Sequence, residues 1–86
     1  MRKAVERGDY FATREIPAGK REEIIMPFCR YAGAHPPNND EIHKAYRTFD
    51  CIGIDENGKL RGVKNDFDAW GITMNKLSLA DLGLED

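Results

Sequence analysis

Two short segments of this 86-residue chain are written in the same turn grammar, and that grammar limits the fold more than any other feature. In Ile16-Pro17-Ala18-Gly19-Lys20 and in Asp55-Glu56-Asn57-Gly58-Lys59, a glycine stands where a three-residue hairpin loop needs a left-handed residue. Pro17 also presets φ for the first turn position. Each turn implies a register. Around the first, Glu15 would face Arg21, Arg14 would face Glu22, Phe11 would face Ile25 and Tyr10 would face Met26. Around the second, Asp55 would face Lys59, Ile54 would face Leu60, Cys51 would face Val63 and Asp50 would face Lys64. Opposite charges meet and apolar side chains meet, each such pair contributing about 0.2–1 kcal/mol. Two hairpins, over residues 9–28 and 49–64, are therefore expected.

Between them, Pro36 and Pro37 enforce an extended connection, after which Asn38 or Asn39 can cap a helix. Asp40 and Glu41 would stand at its positive end, and Ile42, Ala45, Tyr46 and Phe49 would form one apolar stripe. A short final helix over residues 76–82 has Asn75 or Ser78 as a cap and Gly83 just past its end. The expected fold class is α+β: a small antiparallel four-stranded sheet in ββαββα order, with a central helix and a short C-terminal helix. Residues 21–32 admit a second reading, because Ile24, Ile25, Phe28, Cys29, Tyr31 and Ala32 also fit a helical stripe interrupted at Pro27. The cross-strand complementarity favours the strand.

At this length the chain is expected to be a single domain, 1–86, since a fold this small buries only about 60% of its unfolded surface. Two cysteines do not make a disulfide scaffold, the N-terminus lacks an apolar leader core, and no apolar run approaches membrane-spanning length. A cytoplasmic protein with reduced thiols and no membrane partner is the expectation. The net charge of −2 is unevenly spread. Residues 1–37 hold seven basic and five acidic side chains, residues 38–86 six basic and ten acidic. From Asn65 onward Lys76 is the only base.

Cys29, His35, His43 and Cys51 could in principle complete a zinc shell, but none lies two to four residues from another as structural zinc ligands do. A Cys29–His35 nucleophile pair lacks a strained turn to present the thiol. Placing Gly58 at the invariant glycine of a calcium loop puts Lys64 where a bidentate glutamate is required. No phosphate-cradling glycine motif occurs. No cofactor or metal is therefore expected, and no enzymatic activity; a small zinc protein or Cys-His enzyme ranks third among the functional readings.

The C-terminal third concentrates Phe67, Trp70, Ile72, Met74, Leu77, Leu79, Leu82 and Leu84 among acids. It could cover the core or dock a partner. The functional expectation is a non-enzymatic protein-interaction module, a regulator, inhibitor or accessory subunit, binding through Trp70, Met74, Leu77, Asp81, Leu82 and Leu84. The expected partner is another protein with a basic-rimmed apolar groove, or a second copy of the chain. Nucleic acid is the alternative, through Arg2, Lys3, Arg7, Arg14 and Arg21 with Tyr10, Phe11 and Tyr31.

Overall fold

The computed structural model describes residues 2–35, 38–64 and 75–84. Their order is β1 (Asp9–Ala12), α1 (Arg21–Ala32), α2 (Asn39–Thr48), β2 (Cys51–Ile54), β3 (Leu60–Val63) and β4 (Asn75–Lys76), with short 3-10 turns at Thr13–Glu15 and Ala18–Lys20. The strands make a mixed sheet ordered β3-β2-β1-β4, in which β4 runs parallel to β1 and the other pairs are antiparallel. The fold is α+β, with two helices and four strands among the described residues.

The second hairpin forms in the expected register, with Cys51 opposite Val63 and Ile54 opposite Leu60. Gly58 is left-handed at φ 80°. Asp55 closes the turn: its Oδ1 accepts from the N–H groups of Asn57 at 2.8 Å and Lys59 at 2.9 Å, while its own N–H donates to the Lys59 carbonyl.

The first hairpin does not form. Residues 21–32 are helix, and β1 pairs instead with β2 and β4. Ile16 stands where Asp55 stands in the second turn, so no carboxylate receives the turn N–H groups, and Ile16 is drawn into the core. Pro17 then acts as the cap of a 3-10 turn that leads into α1. Pro27 removes the N–H that would reach the Glu23 carbonyl, at about 3 kcal/mol. Against this, α1 buries Ile24, Ile25, Phe28 and Cys29 almost completely, and each large apolar side chain contributes about 1.5–3 kcal/mol. The burial outweighs the proline.

α1 ends where Gly33 turns left-handed at φ 69° and Ala34 N–H reaches back to the Cys29 carbonyl. α2 starts as expected: the Asn38 side chain accepts from Glu41 N–H at 2.8 Å, and Ile42 and Tyr46 are buried. Both helices cover the sheet face that carries Phe11, Ile52 and Ile54. Phe11 lies at the centre, 5.0 Å from the Phe28 ring in an edge contact and 5.9 Å from Tyr46. Gly53 has no room for a side chain because Tyr10 and the Asp9 carbonyl stand against it.

The final helix is also corrected. Asn75 and Lys76 belong to β4, and only one helical turn follows. Ser78 Oγ accepts from Asp81 N–H and Asp81 Oδ2 accepts from Ser78 N–H, both at 3.1 Å, so this turn has the reciprocal cap of a longer helix. Gly83, at φ 77°, ends it at once.

The end of the core is closed by Asp9. Its carboxylate takes Lys3 Nζ at 2.7 Å, Glu6 N–H at 2.9 Å and Asn75 Nδ2 at 2.9 Å, joining the N-terminal segment to β4. Burial raises the Asp9 pKa; hydrogen bonds from Asn75, Lys3 and the Glu6 N–H outweigh it, and the group sits below its ordinary value.

Candidate protein-interaction site

Antiparallel pairing directs backbone groups alternately toward and away from the neighbouring strand. The Asp55 N–H to Lys59 carbonyl bond sets that phase, so Arg61 and Val63 pair with β2 while Leu60, Gly62 and Lys64 turn their N–H and C=O groups outward. Among the described residues β3 is an edge strand, and this row has no strand beside it.

Directly against the row lies a groove of about 280 Å³ lined by Ile25, Ala45, Phe49, Ile52, Leu60 and Gly62, with the Arg61 stem at its margin. Each element delivers one part of it. The pleat turns Leu60 and Gly62 to the helix-covered face, α1 supplies Ile25, and α2 with the residue after it supplies Ala45 and Phe49. The Phe49 ring lies so close over Gly62 that any β-carbon there would meet it. Glycine at 62 lets the ring pack onto the strand.

The strand is basic. Lys59, Arg61 and Lys64 flank Leu60, Gly62 and Val63 with no acid among them. Arg61 Nε is 4.0 Å from Asp55 Oδ2. Lys59 also attracts the Asp55 carboxylate, and Lys64 has no salt-bridge partner among the described residues. Asp55 is held below the ordinary carboxylate value, chiefly by the Lys59 N–H, so its negative charge persists under the turn.

Of the residues read from the sequence as a docking surface, the four that are described lie elsewhere. Leu77 and Leu82 are in the core, 1% and 2% exposed, and Leu84 is half-buried against it. Asp81 binds Ser78 through its carboxylate, and its carbonyl accepts the N–H groups of Arg2 and Lys3. These four close the core and hold the N-terminal segment, because β4 lies beside β1 and its turn fills the remaining opening. Trp70 and Met74 lie outside the described residues.

The four cysteine and histidine positions do not converge. Cys29 and Cys51 are buried free thiols, whereas His35 and His43 are exposed. No three His, Cys, Asp or Glu side chains are grouped to hold a metal among the described residues. Burial pushes both thiols up from their ordinary pKa, which keeps them protonated and weakly nucleophilic at neutral pH. Of the aromatics assigned to a nucleic-acid face, Phe11 is completely buried. No described helix is long and apolar enough to cross a membrane.

The β3 groove was not singled out from the sequence, although Lys59, Arg61 and Lys64 set three cations in and beside a short strand, as an edge strand does. What could not be read is that Ile25 and Phe49 would flank it. No protein family, curated protein or solved structure matches the chain.

Proposed function

We propose that this protein is an interaction module, a regulator, inhibitor or accessory subunit, that receives an extended segment of another protein along β3. The observation that carries the reading is the outward backbone row of Leu60, Gly62 and Lys64 beside an apolar groove. Strand addition at a sheet edge draws affinity from main-chain hydrogen bonds and specificity from pockets that take alternate side chains. The row would supply the first and the groove the second.

Charge selects the partner. Two β3 edges laid together would bring three cations from each copy into one interface, and like charges across strands destabilise pairing. A second copy is therefore disfavoured at this edge. The matching occupant alternates apolar side chains with carboxylates, the apolar ones entering the groove and the acids meeting Lys59 and Arg61 on the opposite face.

The test is a titration of isotope-labelled protein with a heptapeptide alternating glutamate and valine. Saturable shifts centred on the Leu60, Gly62 and Lys64 amides are expected at peptide concentrations of about 1 mM or below. The double variant Arg61→Glu, Lys64→Glu should weaken binding about tenfold or more. Equal binding of a lysine-for-glutamate peptide, or shifts centred away from β3, would overturn the reading.

A further inference from the structure

A second groove, of about 670 Å³, runs on the far side of α1 between that helix and the N-terminal segment. Its walls are Arg2, Lys3, Ala4 and Val5 on one side and Glu23, Pro27, Arg30 and Tyr31 on the other. The strand-edge reading makes no use of it. The size falls within the range of small-molecule sites, about 300–1,000 Å³.

The segment that forms the first wall is fixed. Arg2 and Lys3 donate their backbone N–H groups to the Asp81 carbonyl at 3.1 and 3.3 Å, and Lys3 Nζ is held by the buried Asp9 carboxylate. The charges in the groove then divide clearly. Lys3 is committed to Asp9, with Glu6 3.7 Å away, and Glu23 is paired with Lys20 at 3.4 Å. Arg2 and Arg30 are exposed and have no carboxylate partner among the described residues. Among the described residues they are two guanidinium groups without a carboxylate, one on each wall. A guanidinium presents a planar fork of donors that matches phosphate oxygens in paired hydrogen bonds.

Next to Arg30 stands Tyr31, 42% exposed, the exposed large hydrophobic residue of the described chain. A single exposed tyrosine is by itself an ordinary surface residue. Its place beside two arginines in one groove gives it a second use, because nucleic-acid bases stack on aromatic rings with sequence tolerance while cations hold the backbone. Helical spacing puts Glu23, Pro27, Arg30 and Tyr31 along one stripe of α1, and Pro27 adds an apolar ring to the lining.

We infer that this groove binds a nucleotide, with phosphate held by Arg2 and Arg30 and the base on Tyr31. The same chemistry is offered by a free mononucleotide and by an unpaired residue of a single strand. Two probes separate them: adenosine monophosphate, and a ten-nucleotide single-stranded DNA.

Binding is read by NMR of the Tyr31 ring and the Arg2 and Arg30 Nε–H groups. Saturable shifts of these signals with at least one probe support the inference. Arg30→Glu should weaken the bound probe at least tenfold, Tyr31→Ala several-fold, and Tyr31→Phe should restore the stacking loss. All three positions lie at the surface, and an unchanged melting temperature checks that the variants fold. If the single strand is the ligand, neutralising two phosphates gives a log-log salt slope of about −1.4. Binding of the mononucleotide alone assigns the free ligand. Failure of both probes to saturate at about 10 mM, or binding that survives Arg30→Glu, overturns the inference. The glutamate–valine peptide experiment is independent of either result.

Discussion

The segments around Gly19 and Gly58 share a turn grammar and fold differently. One becomes a 3-10 turn and the start of α1, the other a closed hairpin. The deciding residue lies three positions before each glycine. Asp55 offers a carboxylate to two turn N–H groups, whereas Ile16 offers only apolar surface and is 3% exposed. A glycine permits a left-handed turn, but a side-chain acceptor makes it worth adopting. The flanks act in the same direction. Residues 51–54 and 60–63 are short and include the β-branched Ile52, Ile54 and Val63, while the continuous apolar run of residues 24–29 satisfies a strand or a helix equally well. It becomes helix because the sheet face bearing Phe11 and Ile52 needs a cover.

The largest effect that can break this comparison is at Phe28. It is completely buried against Phe11, and Phe28→Ala should cost about 3–5 kcal/mol in urea unfolding, whereas alanine at exposed Arg30 should change little. If a scan from 24 to 30 instead alternates every second residue, α1 is not a helix.

The two glycines give the next test. Gly58→Ala must place a β-carbon on a left-handed residue and should cost about 1–2 kcal/mol. Gly19 is not left-handed and has open space around it. Gly19→Ala should therefore be neutral or stabilise by up to about 1 kcal/mol, through the unfolded chain. Equal losses at both sites would restore the hairpin reading of the first segment. Valine at 19, which a hairpin would reject strongly, should likewise be tolerated.

The smallest effect is in the pH dependence of the turns. Asp55 titrates below its ordinary value, so its contribution is complete above the unfolded carboxylate pKa of about 3.9 and is lost as pH falls through the lower folded value. The Asn57 and Lys59 amide signals should follow that loss, while the Ala18–Lys20 turn, whose backbone N–H groups bind no carboxylate, should show no matching step. An Asp55 titration at or above the ordinary value would remove the reason given for the difference between the turns.

The same contrast applies to the candidate sites. The basic character of β3 is visible in the residues themselves, but the groove beside it needs Ile25 from α1 and Phe49 from the end of α2. Arg2 and Tyr31 were both noted as surface cation and aromatic, yet Arg30 joined them only once residues 21–32 were helix. Leu77 and Leu82 carry the composition of an interface anchor, and nothing local distinguishes an anchor from a core residue.

By itself the sequence determined the elements whose stabilising contacts are local. Asn38 caps α2 across three residues, Asp55 and Gly58 close the β2–β3 turn within five, and Ser78 with Gly83 bounds a single turn. Each interaction is complete within a few residues and needs no other part of the chain. The tertiary structure decided everything that depended on which apolar surface found a partner: α1 over a strand, β1 beside both β2 and β4, and the C-terminal leucines inside rather than outside. The hydrophobic effect scales with area removed from water and is blind to sequence separation, so a chain this short settles such choices by filling one core.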